Sequence, residues 1–115
     1  MSIKASTRQL EDITIVNLSG EIKLADGARF LRDIVKDLLS KGEKKILLNL
    51  ADVSYIDSSG VGELVGAFTS VRNHGGEMKL LQLTKKVKDV LVITKLLTVF
   101  DVKDDEAAAI AGFKL

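Results

Sequence analysis

The sequence predicts an α/β fold: an N-terminal hairpin, then alternating strands and helices, giving a mixed, mostly parallel sheet with about four helices. Three observations carry this prediction. The hydrophobic period switches repeatedly along the chain between two and about 3.6 residues, the periods of strand and helix. Strand-like segments alternate with helix-like ones, an order that favours parallel pairing through right-handed crossovers. The chain has 115 residues and shows no linker, repeat or low-complexity tract. A chain of that size buries roughly two-thirds of its unfolded surface, enough for one core, so residues 1–115 are expected to form a single domain.

Taken in order, Ile3 to Gln9 predicts a weak strand, Glu11-Asp12 a turn, and Ile13 to Leu18 a stronger strand with Thr14, Val16 and Leu18 on one face. Leu24, Ala28, Leu31, Val35 and Leu38 mark the first helix, with Asp26 as a candidate cap and a stop at Lys41-Gly42. Ile46 to Leu50 is a short, nearly continuous apolar run of the kind found in a strand covered on both faces. A second helix carries Val61, Leu64, Val65, Phe68 and Val71 on one stripe and ends at Gly75-Gly76. Met78 to Leu83 predicts the next strand. Thr84 can cap a third helix that turns Val87, Val90, Leu91 and Thr94 inward. Leu97 to Phe100 reads as a brief strand, and Asp104 or Asp105 opens a last, alanine-rich helix.

The chemically pointed segment is Asp57-Ser58-Ser59-Gly60, where a strand and loop hand over to the second helix. Asp57, Ser58 or Ser59 can each accept a hydrogen bond from a first-turn amide that has no partner within the helix. That end of a helix carries partial positive charge, so a phosphoserine there is tolerated by the fold while it changes the surface sharply. Gly60, Gly62 and Gly66 follow on one helix. Their spacing is not that of a P-loop, and the next strand ends in Leu83-Thr84 rather than the acidic residue of a dinucleotide site. Close approach of another backbone, from the sheet or from a partner, explains them better.

Catalysis has little to draw on. The one histidine, His74, lies at the far end of the same helix, out of reach of Ser58, and suits the negative end of that helix instead. Asp52 and Asp57 have no accompanying cluster of ligands and are expected as two exposed loop carboxylates, so no catalytic residue, metal or cofactor is expected. Lys85, Lys86 and Lys88 form a small cluster expected to be a solvated face. Seventeen basic against sixteen acidic residues leave a formal charge of +1, which supplies no field for nucleic acid or anionic lipid. The absence of cysteine removes disulfides and cysteinyl metal sites. No apolar run approaches the ~20 residues of a membrane span, and a cytoplasmic location is expected.

From Ile46 the chain runs ILLNLADVSYIDSSGVGELVGAF, then HGGEMKLLQL, then VKDVLVITKLLTVFDVKDDEAA. This closely resembles the STAS family, specifically its bacterial anti-sigma factor antagonists. The resemblance extends from about Ile13 to Ala109 and is most specific from Leu48 to Gly62. It implies a single STAS domain over residues 1–115 that binds an anti-sigma factor with serine kinase activity and thereby releases a sigma factor. It also implies that the first serine of the run, Ser58, is phosphorylated by that kinase, which ends the binding, and that a serine phosphatase restores it. Lys23, Asp57, Ser58, Ser59, Gly60 and Gly62 then belong to the docking surface. Oligomeric state is left open.

One segment departs from the family pattern. Antagonists often carry Gly-Glu-Leu-Asp followed by Thr-Ala, whereas this chain has Gly20-Glu21-Ile22-Lys23-Leu24-Ala25-Asp26-Gly27, with lysine where aspartate is common. The inverted charge bears on partner choice. A second reading stays open beside the switch: a constitutive STAS subunit of a larger complex, in a stress-signalling assembly or a lipid transport system, with Ser58 only a helix cap.

Overall fold

The computed structural model describes residues 3–23 and 26–113, with the backbone alone at 26–28. Strands β1 (Ile3–Leu10) and β2 (Ile13–Ile22) form the expected antiparallel hairpin, with Leu10 opposite Ile13 across the Glu11-Asp12 turn. Thr14, Val16 and Leu18 are buried together, as their shared face requires. The strand continues to Ile22 and is covered on both sides, because Ile13 and Ile15 are buried in a second cluster.

Helix α1 (Asp26–Ser40) lays Leu31, Val35 and Leu38 on the sheet and stops at the predicted place, where the Glu43 amide donates to the Leu38 carbonyl at 3.0 Å. The expectations for Leu24, for the inward side chain of Ala28 and for Asp26 as a side-chain cap lie outside what is described.

Strand β3 (Lys45–Ile56) corrects the sequence reading, which ended the strand at Leu50 and made the following residues a loop. Its parallel pairing with β2 slips twice, between Asn17/Ser19 and Gly20/Glu21, and each slip gives β3 one extra residue. Strict alternation would turn Asp52 and Ser54 inward after Leu50. The two bulges instead deliver Leu50, Val53 and Ile56, at intervals of three, to the same core. The strand therefore survives without a period of two, and that lost period is why the sequence hid it.

Helix α2 (Ser58–Asn73) buries Val61, Leu64, Ala67 and Val71, with Val65 and Phe68 packed at the margin. Its end is closed by Gly75, whose φ of 79° only glycine adopts without strain. The Gly75 amide donates to the Arg72 carbonyl and the Gly76 amide to that of Val71, both at 2.9 Å, which satisfies the last turn. His74 is the C-cap and donates its Nδ1 proton to the Ser70 carbonyl at 2.8 Å.

Strand β4 (Glu77–Leu81) is shorter at its end than expected, because Gln82 at φ 52° leaves the extended region. Helix α3 (Lys85–Ile93) is capped by Thr84 as predicted, with Val87 and Leu91 buried. Thr94 is a correction: it is exposed at the C-cap, and its hydroxyl returns to the Val90 carbonyl at 2.8 Å. Leu97 to Phe100 is a second correction. Leu97–Val99 is a 3-10 turn that packs Leu96, Leu97 and Phe100 against the core, the Phe100 ring meeting Phe68 edge-on at 5.5 Å. The strand falls two residues later, β5 (Val102–Lys103), parallel to β4. Asp105, not Asp104, caps helix α4 (Glu106–Ala111) by accepting from the Ala108 amide at 2.9 Å.

Among the described residues the five strands form one mixed sheet in the order β1-β2-β3-β4-β5, with only the hairpin antiparallel. Residues of α1, α2 and α3 share the larger cluster with one face of the sheet. Ala109 of α4 and the following Phe113 cover Ile13, Ile15, Leu47 and Leu81 on the other. Lys79 lies buried on that second face, held by Asp101 and by the Phe113 ring 5.3 Å away, and its ammonium keeps the Asp101 carboxyl below the ordinary range.

Thr84 joins two of these elements. Its Oγ1 accepts from the Val87 amide at 3.4 Å and donates to the Val53 carbonyl at 2.8 Å, beside the second bulge. Thr84→Val keeps the shape but loses a cap and leaves the Val53 carbonyl short of a donor. It is expected to cost about 1–3 kcal/mol in urea unfolding, while Thr84→Ser stays within about 0.5 kcal/mol of the parent.

Candidate functional site

The Asp-Ser-Ser-Gly run is placed by the end of β2. Where β2 and β3 finish side by side, the Asp57 amide donates to the Ile22 carbonyl at 3.2 Å, and the chain turns at once into α2. Asp57 sits at φ −110°, ψ −175°, and its Oδ1 accepts from the Gly60 amide at 2.9 Å. Its carbonyl accepts from Val61, also at 2.9 Å. Of the three candidate caps, then, Asp57 is the cap. Ser58 and Ser59 are the first helical residues, so the reading of Ser58 as a helix cap does not hold. Nor is Asp57 an exposed loop carboxylate: it is half-buried and engaged, while Asp52 is exposed on β3.

Gly60 explains why this turn is so tight. A Cβ there would stand 2.3 Å from the Ile22 carbonyl oxygen and 2.7 Å from Ile56 Cγ1, so the helix can start this close to the sheet only with glycine. Close packing thus accounts for Gly60 alone. At Gly62 and Gly66 a Cβ would meet nothing within 4 Å, and both positions face outward.

Ser58 is exposed and Ser59 half-buried. The Ser58 hydroxyl makes no hydrogen bond among the described residues. Lys23 follows Ile22 directly and is exposed beside this turn. Its ammonium pairs with Glu21 at 2.9 Å, which raises the lysine above its ordinary range, with smaller contributions from the charges of Tyr55 and Asp57. Glu21 is lowered by the same pair. Lys86 lies over the Tyr55 ring at 5.3 Å and Lys85 pairs with Asp89, so the cluster at the start of α3 is mostly occupied locally.

Sequence reasoning missed a contact of the same helix. Arg32 of α1 grips Glu63 of α2 with two parallel bonds, Nε to Oε1 at 3.1 Å and Nη2 to Oε2 at 2.7 Å. The Arg32 hydrogen bond lowers the Glu63 carboxyl. The two residues are 31 positions apart, and no local pattern announces such a pair. Helix α2 has 16 residues and so spans about 24 Å, which puts His74 a helix length away from Ser58. No group of three or more metal-ligating side chains occurs among the described residues. What the site presents is a rigidly seated helix start, one outward serine, a carboxylate behind it and a cation at its flank.

A STAS domain model matches residues 4–109, and the chain belongs to that family. It is 35% identical over 102 residues to the anti-sigma-B factor antagonist of Bacillus subtilis, covering 89% of this chain and 92% of that one. A crystal structure from Thermotoga maritima, of a protein with a provisional assignment as an anti-sigma factor antagonist, superposes with a TM-score of 0.87 at 29% identity. That match covers 95% of this chain and 93% of the other. The antagonist SpoIIAA, seen in unphosphorylated and phosphorylated forms, shares the fold at a TM-score of 0.70 and 20% identity. It spans 94% of this chain and 96% and 98% of those structures.

Gly60 and Gly62 should respond oppositely. Gly60→Ala forces its methyl into a backbone oxygen and is expected to lower stability by at least about 2 kcal/mol, in the range of overpacked cores. Gly62→Ala adds a methyl in open space within a helix and is expected to raise stability by up to about 1 kcal/mol. Thermal unfolding of both variants checks the pair.

Proposed function

We propose that this protein is an anti-sigma factor antagonist controlled by phosphorylation of Ser58. In the unmodified state it binds an anti-sigma factor that is also a serine kinase, and so frees a sigma factor. Phosphorylation ends that binding and a serine phosphatase restores it. The protein acts by binding in the cytoplasm and not as an enzyme, with no nucleic acid or cofactor taking part. The observation that carries this reading is the assignment of the cap to Asp57, which leaves the Ser58 hydroxyl outward at the first position of α2. The relatives named as anti-sigma factor antagonists support the class of partner, and the phosphorylated form of SpoIIAA supports the kind of switch.

The physics favours a surface effect. A phosphoserine brings about −1.5 to −2 charges to a helix N-terminus, where negative charge is favourable by about 0.3–1 kcal/mol, so the fold bears it. In an interface the same charge has to be desolvated beside Asp57. Such a loss at a buried polar contact is worth roughly 2–5 kcal/mol. Ser59 and Gly62 complete the contact surface, Gly62 by letting a partner approach the helix closely, while Gly60 acts beneath it by seating the turn.

Ser58→Ala is expected to bind the anti-sigma factor like the parent and to take up no phosphate from its kinase. Ser58→Asp should bind at least about thirtyfold more weakly, equivalent to about 2 kcal/mol, with an unchanged melting temperature. Calorimetric titration decides, and equal affinity of Ser58→Asp and the parent would sink the switch.

Lys23 tests partner choice. Its charge is shared with Glu21, and Lys23→Asp turns that neutral pair into two adjacent carboxylates beside Asp57. Association with the native partner should slow several-fold at low salt, and the difference should shrink as salt rises, since screening acts over about 8 Å at physiological ionic strength. Stopped-flow rates that match the parent in both buffers would place Lys23 outside the interface.

A further inference from the structure

Between α1 and α2, on the side away from Ser58, lies a groove of about 610 Å³, within the ~300–1,000 Å³ typical of small-molecule sites. Its floor is apolar: Val35 and Ala67 are buried, and Leu39 is half-buried. The Arg32–Glu63 bridge bounds it toward the start of α2. Lys36, one helical turn on from Arg32, stands exposed on the rim and makes no ion pair among the described residues. His74 and Ser70 line it from the end of α2, with the histidine committed through Nδ1 to the Ser70 carbonyl. The lining thus holds two cations to one carboxylate, and that carboxylate is held by Arg32 with both oxygens. Lys36 is the charge left to offer.

Gly66 lines the same groove. Glycine in a helix interior costs stability relative to alanine, yet a Cβ at Gly66 would meet nothing within 4 Å, so packing inside the chain does not require glycine there. The absent side chain keeps the groove open. We propose that the α1–α2 groove binds a small amphipathic carboxylate, its apolar body on Val35, Leu39 and Ala67 across Gly66 and its head on the Lys36 ammonium. This site is separate from the Ser58 surface and does not rest on the proposed switch.

The test is an NMR titration of the full-length protein with octanoate, and with octanol and octylammonium as neutral and cationic counterparts of the same chain. Octanoate is expected to give saturable amide shifts at Val35, Leu39, Ala67 and Ser70, with a dissociation constant on the order of 1 mM or below. Octanol and octylammonium should bind at least tenfold more weakly. Gly66→Leu fills the groove and should abolish the shifts while the melting temperature holds or rises. Lys36→Glu, a surface change, should weaken octanoate at least tenfold. Shifts that do not saturate, equal binding of octylammonium, or octanoate binding by Gly66→Leu as tight as by the parent would each overturn the proposal.

Discussion

The carbonyl of Ile22 is the point on which the site depends. It ends β2, accepts the amide of Asp57 at 3.2 Å and leaves room for only a hydrogen on Gly60. Three consequences follow from this one close approach. The residue before the helix must be a good cap, because the turn is too abrupt for a loop to satisfy the first amides. The residue at the third helical position must be glycine. Of the two residues between them, Ser58 is carried to the outside and Ser59 stays half-buried, with little freedom in the backbone that holds them. A serine presented on a rigid helix start is a better docking feature than one on a loose loop, because little ordering entropy remains to be lost when a partner engages it.

Reaching Ile22 requires β3 to run parallel to β2 as far as Ile56, and the bulges make that run compatible with the core. Without them, Asp52 and Ser54 would face the helices and Val53 the solvent. With them, Leu50, Val53 and Ile56 stay inside, and Thr84 reaches the Val53 carbonyl to tie the start of α3 to the same stretch. The irregular half of β3 thus links the cap of one helix to the cap of another. Bulges gather beside functional sites for this reason: they re-aim side chains without giving up the strand.

Much of this was legible in the sequence wherever the pattern is local. The stripe of α2, its glycine stop, the hairpin turn and the Thr84 cap are each decided by residues within a turn or two of one another. The rest was hidden where a distant contact decides. Nothing within Asp57-Ser58-Ser59 says which side chain caps, since all three can; the pairing of the Asp57 amide with Ile22, 35 positions earlier in the chain, selects it. The end of β3 lost its period of two to the bulges. Leu97 to Phe100 is apolar enough for a strand, but Phe68 and the core reward a turn there instead. Gly62 and Gly66 look like Gly60 in the sequence, and only the sheet's nearness at one of the three positions separates a packing glycine from two open ones. The family resemblance covers the fold, whereas the Arg32–Glu63 bridge and the groove beside it belong to pairings that no short motif encodes.

Charge placement completes the picture. Around α2 the charges are mostly matched in pairs: Lys23 with Glu21, Arg32 with Glu63, Lys85 with Asp89. Exposed pairs of this kind contribute little to stability, on the order of 0–1 kcal/mol each. Their effect on recognition is larger, because a surface whose charges are already matched has a weak field of its own, in keeping with a formal charge of +1 for the whole chain. Two further charges at Ser58 would fall beside Lys23, whose ammonium is already paired with Glu21. The domain would keep its fold, since the helix end welcomes negative charge and the stability at stake is ~5–15 kcal/mol against a perturbation of about 1 kcal/mol. A partner pressed against that surface would meet nearly the full field. A phosphate at this position would therefore act on association and would leave the sheet, the bulges and the helix seat as they are.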